Sequence, residues 1–135
     1  MQISKHERLP IKVQSDIVLV RQKVRLWAIE LGLGIIDQTK VVTAASELAR
    51  NTLDYGGGGE VELAAVRNET NRPGLRLVFE DQGPGIADVD LALTDGYTSG
   101  GGLGMGLSGS KRLMNFFNLE TEVGKGTRVT VIKWK

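Results

Sequence analysis

Three glycine-bounded or helical segments and one threonine carry the chemistry of this chain. Thr98 to Gly109 holds six of the eighteen glycines. Glycine is costly to order and offers nothing to pack, so such a cluster implies a use for bare backbone N–H groups curled around a ligand. Ser110 to Phe117 reads as a helix, and a glycine loop feeding a helix N-terminus favours an anion, most often phosphate. Glu47 and Asn51 are four residues apart and stack on one helix face. Asn51 offers a neutral oxygen suited to a hard Mg2+ ion that shares its shell with phosphates. Glu47 could take a proton from a hydroxyl or water attacking a γ-phosphate. Asp81 ends an apolar strand, where its carboxylate could accept from the exocyclic amine of adenine. Gly83 and Gly85 would let a flat base approach the backbone. Thr127 opens a strand just after Gly126, and its hydroxyl could support Asp81 from the neighbouring strand. Taken singly, the helix pair also reads as a solvated face with Thr43, Arg50 and Asp54, and Asp81 to Gly85 as an ordinary turn. Their order and spacing point together to a nucleotide.

Familiar phosphate loops do not account for the pattern. Gly104-Met-Gly106-Leu-Ser-Gly109 has the spacing G-x-G-x-x-G, but a dinucleotide fingerprint must follow a strand directly, and the residues from Asp95 to Gly102 read as loop. No G-x-x-x-x-G-K-[ST] can be drawn, and a kinase-type glycine loop should lead into a strand rather than a helix.

The elements that must position these groups follow from periodicity. Leu9 to Val13 is a short strand, with Ser15 as the N-cap of a helix whose face is Ile17, Val20, Val24, Trp27, Ala28 and Leu31. A second helix runs from about Asp37 to Asp54 and stops at Gly56 to Gly59. The period then changes to two at Val61, Leu63 and Ala65, and again at Leu75, Leu77 and Phe79, giving a hairpin across a polar connection. Ala87 to Leu93 is a short helix; Leu119 to Val123 and Thr127 to Trp134 form a second hairpin. The predicted class is α+β in two layers: a mixed, mostly antiparallel sheet covered on one face by three helices.

Composition narrows the function. At 135 residues with 41% apolar content the expectation is one domain spanning 1–135. A net charge of +1 with no basic stripe argues against nucleic acid as partner. The absence of cysteine removes thiol catalysis and thiolate metal sites, and the single histidine, His6, sits in a polar N-terminal stretch. No signal peptide or membrane-length apolar run is present, so a cytoplasmic location and no membrane association are expected.

In the order Glu47-Leu-Ala-Arg-Asn51, Asp81-Gln-Gly-Pro-Gly85, Gly102-Leu-Gly-Met-Gly106 and Gly126-Thr127, the chain resembles the GHKL ATPase/kinase superfamily, the Bergerat-fold group of gyrase, Hsp90, histidine kinases and MutL. The length leaves no room for a transducer domain, and His6 is not on a dimerisation helix. The chain therefore looks most like the small anti-sigma-factor serine/threonine kinases. Ser46-Glu-Leu-Ala-Arg-Asn51, Glu80-Asp-Gln-Gly-Pro-Gly-Ile86, Asp95-Gly-Tyr and Lys111-Arg-Leu-Met114 are similar to their stressosome switch-kinase branch. So is the Ile132-Lys-Trp134 ending. Asn51-Thr-Leu-Asp-Tyr55 departs from the anti-sigma branch, whose members tend to have a small residue and a later histidine there.

The resemblance implies ATP and Mg2+ as cofactors, with Asn51 holding the metal between phosphates and Glu47 as general base for a serine or threonine hydroxyl. It implies that Asp81 reads the adenine amine with Thr127 behind it through a water. Gly102, Leu103, Gly104, Met105 and Gly106 would form a lid over the phosphates. Arg50 lies beside the pocket or pairs with solvent; Lys111 and Arg112 face phosphate, a partner or solvent. The implied acceptor is a STAS-domain protein, and the freed kinase would activate a PP2C-type phosphatase. The alternative is a nucleotide-dependent binding module that sequesters a sigma factor or anti-anti-sigma protein.

Overall fold

The computed structural model describes residues 1–94 and 106–135. Its chain order is β1 (Gln2–Ile11), α1 (Gln14–Glu30), α2 (Ile35–Asp54), β2 (Gly59–Arg67), β3 (Pro73–Asp81), α3 (Val89–Ala92), α4 (Gly106–Leu113), β4 (Phe116–Glu122) and β5 (Gly126–Trp134). The strands form one sheet in the order β1-β2-β3-β5-β4. The α+β two-layer expectation holds, and each of the four pairings is antiparallel, so the sheet has no parallel component among the described residues.

The sheet's inner face is built from rows set by register. Leu9, Val61, Phe79, Val129 and Leu119 lie side by side across all five strands, and Leu63, Leu77, Val131 and Phe117 form the next row. Against these rows α2 buries Val41, Ala45, Leu48 and Thr52, while α1 buries Val20, Val24 and Trp27 at its flank. α1 packs on α2, and α2 on α4. The other face carries charges that interlock across strands. Arg76 bonds Glu62 at 3.1 Å, and Arg128 bonds Glu80 at 2.7 Å.

Three boundaries differ from the sequence expectation, each for a physical reason. β1 begins at Gln2 rather than Leu9, because an edge strand takes its stability from the ladder to β2 and needs little apolar pattern. Its charged residues reach back to α1: Lys23 pairs with Glu7 at 3.4 Å, and Lys5 with Glu30 at 3.2 Å. α1 is capped by Asp16, not Ser15. The Asp16 carboxylate accepts from the backbone N–H of Lys12 at 2.8 Å and of Val13 at 3.1 Å. α4 begins at Gly106 and ends at Leu113, four residues earlier than read. Phe116 and Phe117 alternate in β4 instead, where Phe117 opposes Val131.

The neighbouring strand β3 runs so close to Gly59 that the position can carry no side chain. A Cβ there would strike the Glu80 carbonyl and lie 3.0 Å from Thr52 Cγ2. Gly59→Ala is therefore expected to lower stability by about 1–3 kcal/mol, the usual penalty of overpacking. In urea unfolding the midpoint falls while the slope is unchanged.

Candidate active site

Beyond Phe79 the inner face of the sheet changes from apolar to polar. The next row reads Ile11, Gly59, Asp81, Thr127 and Thr121. Asp81 and Thr127 are thus direct neighbours across β3 and β5, at the end of the sheet where α2 finishes. Asp81 is only 8% exposed. Its Oδ1 accepts the Gly83 N–H at 2.9 Å. Burial pushes its pKa above the ordinary 3.8; the backbone N–H groups of Gly83 and Thr127 oppose that rise, and the charge of Glu80 adds to it.

The Thr127 hydroxyl meets Thr121 Oγ1 at 3.0 Å, not the Asp81 side chain. Thr121 Oγ1 also donates to the Gly126 carbonyl at 3.0 Å and accepts the Ile86 N–H at 2.9 Å. With Thr121's one proton on Gly126, Thr127 donates to Thr121, and its lone pairs are left to accept from the cavity. The support of Asp81 by Thr127 therefore comes through the backbone.

These groups line a cavity of about 270 Å3 between the sheet, α2, α3 and α4. Leu48, Phe79 and Val129 make its apolar floor, and Asn51, Asp81 and Thr127 its polar points. Gly106 and Leu107, opening α4, stand in its wall. An apolar slot with a few convergent polar groups is how small-molecule sites are built.

Not every residue expected in the site reaches this cavity. Asn51 does, on α2. Glu47, one turn earlier on the same helix, does not line it; its side chain is 13% exposed and pairs with Arg50 Nη1 at 3.0 Å. Arg50 is likewise outside the lining. Gly83 and Gly85 are backbone contacts instead. A Cβ on Gly83 would come within 2.7 Å of Gly56 Cα. Gly85 has φ +75° and backs onto the Glu122 carbonyl. Lys111 and Arg112 are exposed in the last turn of α4. Gly102, Leu103, Gly104 and Met105 lie outside the described residues, as does Asp95.

Three contributors were not singled out from the sequence. Gly56 has no room for a side chain because the Asp81 carboxyl occupies that space. Tyr55 lines the cavity and donates to the Gly85 carbonyl at 3.2 Å, tying the end of α2 to the Asp81 turn. Thr121 joins through its hydroxyl. The run Gly56 to Gly59 was legible as a helix stop, but its closeness to Asp81 is a tertiary fact.

Residues 36–135 match the family model for histidine kinase-, DNA gyrase B- and HSP90-like ATPases. The chain belongs to that family. It is 46% identical over 124 residues to the serine/threonine-protein kinase RsbT of Bacillus subtilis (strain 168), covering 92% of each chain. It is 30% identical over 116 residues to the anti-sigma F factor of Clostridium kluyveri (strain ATCC 8527), covering 84% of this chain and 82% of that one. Two solved structures share the fold. The RsbU and RsbW domains of Rv1364c from Mycobacterium tuberculosis superpose with a TM-score of 0.64 at 19% identity, over 96% of this chain and 32% of that one. The SiaB-SiaC complex from Pseudomonas aeruginosa gives 0.55 at 16% identity, over 98% and 91%. With the family goes nucleotide binding, and the likeness to the bacillary kinase over nearly the whole of both chains gives the activity as serine/threonine protein kinase.

Two tests follow from this geometry. Gly56→Ala should displace the Asp81 carboxylate and weaken ATP binding by about tenfold or more, as expected for one lost charge-assisted hydrogen bond; calorimetric titration reads it. Asp81→Asn should also weaken ATP binding, yet spare the free protein. Because the folded chain holds the Asp81 proton to higher pH than the unfolded one, this residue's contribution to stability falls as pH rises above 3.8 and levels off beyond the raised folded value. The Asn variant should lose that slope, and urea titrations stepped upward from pH 3.8 measure the difference.

Proposed function

We propose that this chain is a cytoplasmic kinase domain, spanning 1–135, that uses Mg-ATP to phosphorylate a serine or threonine of a STAS-domain partner. Once released by its modified substrate it engages a PP2C-type phosphatase. The observation that carries this reading is the shared cavity of Asp81, Thr127 and Asn51, in a chain 46% identical to a named serine/threonine-protein kinase. Adenine fits against Phe79 and Val129 with its exocyclic amine donating to the Asp81 carboxylate. The triphosphate then runs toward Asn51 and the start of α4.

Asn51 offers one neutral oxygen at the cavity wall. Among the described residues no group of three or more His, Cys, Asp or Glu could cage a metal unaided. That donor set suits Mg2+, which takes its remaining ligands from phosphates and water and would neutralise charge on the transferring group. Glu47 lies one turn beyond Asn51, on the side where an acceptor hydroxyl would approach, and Arg50 orients its carboxylate. In the transfer the acceptor O–H gives its proton to Glu47. The oxygen attacks the γ-phosphorus as the bond to the β–γ bridging oxygen breaks, leaving ADP.

The second reading, a binding module that uses nucleotide only to set its shape, is favoured by the likeness to an anti-sigma factor. Glu47→Ala separates the two. On the kinase reading it keeps ATP affinity within about twofold and lowers phosphotransfer by about 10²–10⁴-fold, the usual loss of a general base. The assay is phosphate incorporation into a purified STAS protein. Equal transfer by the variant would remove Glu47 from the mechanism, and no transfer by either protein would favour the binding module. Among the described residues no helix is long and apolar enough to cross a membrane.

A further inference from the structure

The inner face of β5 alternates Val129, Val131 and then Lys133, so a lysine stands where the pattern asks for a third apolar side chain. Lys133 is only 6% exposed. Its ammonium donates to the Leu113 carbonyl at 3.0 Å and lies 3.6 Å from Asp37 Oδ1. Leu113 is the last residue of α4, and Asp37 sits in the first turn of α2. One buried cation therefore joins the carbonyl end of one helix, where positive charge is favoured, to a carboxylate on the other.

These are two of the helices that wall the cavity, α2 through Leu48 and Asn51, α4 through Gly106 and Leu107. β5 grips the chain beyond α4 at two further points. The Asn115 N–H donates to the Ile132 carbonyl at 3.0 Å, and the Trp134 N–H to Asn115 Oδ1 at 2.8 Å. One end of α4 is thus fixed to the sheet. Its other end, eight residues and about 12 Å away, meets the cavity.

We propose that Lys133 is a positioning residue for the nucleotide: by holding α4 at its C-terminal end against α2, it sets where Gly106 and Leu107 stand against the phosphate half of the ligand. The inference rests on the nucleotide-binding reading above. Packing alone would favour methionine here, since desolvating an ammonium opposes folding. The lysine supplies what methionine cannot, a donor to the helix-end carbonyl of Leu113 and a charge for Asp37.

The test compares Lys133→Met and Lys133→Arg with the wild-type chain. Mg-ATP and adenosine are titrated into each, and hydrogen exchange of residues 106–113 is followed in the free proteins. The Met variant should lose about tenfold in ATP affinity, within the range by which positioning residues alter coupling. Its affinity for adenosine, which lacks phosphates, should stay within about twofold of wild type. Exchange should quicken in α4 but not in α2, and the Arg variant should recover part of both effects. A proportional loss for both ligands, or α4 exchange unchanged by the Met substitution, would overturn the role. A wild-type chain that binds neither ligand would sink the nucleotide reading and this role with it. Wild-type binding with an unaltered ATP-to-adenosine ratio in the Met variant sinks the role of Lys133 alone.

Discussion

Burying a carboxylate is unfavourable, and much of the architecture around β3 accommodates one. Asp81 follows Phe79 on the same face of the sheet, so it continues an apolar row into the interior while needing hydrogen-bond donors. Two backbone N–H groups supply them. The space comes from positions without side chains. Gly56 gives way to the carboxyl group itself, and Gly83 lets the turn after Asp81 close onto Gly56. The remaining acceptor capacity of the carboxylate faces the cavity. A nucleobase amine placed there would relieve part of what burial costs, which links binding to the relaxation of strain in the free protein.

On the proposed reading, helix α2 connects that recognition to chemistry. Its inner stripe, Val41, Ala45, Leu48 and Thr52, is held by the sheet. Asn51 and Glu47 stand on adjacent turns beside that stripe, so the packing that fixes the floor of the cavity also fixes their spacing. The contact between Glu47 and Arg50 is local to the helix, between residues three apart. Precision in the placing of Asn51 and Glu47 therefore derives from apolar packing at the other side of the helix.

Much of this was legible in the sequence. The period-two runs Val61 to Ala65 and Leu75 to Phe79 located β2 and β3, and Asp81, Asn51 and Thr127 do meet in one cavity. What could not be read was anything that depends on distance in three dimensions. Glycine permits close approach, and at Gly83 and Gly85 the structure shows an approach to Gly56 and Glu122; the sequence does not say to whom a glycine gives way. The sequence pairs the Thr127 hydroxyl with Asp81, and only the register shows Thr121 beside it to receive that proton. β1 was shortened because an edge strand can be polar on both faces. The sequence pattern places α4 late because Phe116 and Phe117 suit a helix and a strand equally until Val131 is seen opposite.

The strand order β1-β2-β3-β5-β4 places β5, the latest of the five strands in chain order, between two that precede it. During synthesis the ribosome releases α2, β2 and β3 with one long edge open, and β5 must insert beside β3 before Asp81 has Thr127 as neighbour. Until then the carboxylate lacks one of its two backbone donors and the cavity lacks a wall. On the proposed reading, a chain truncated before β5 would thus be unable to hold nucleotide.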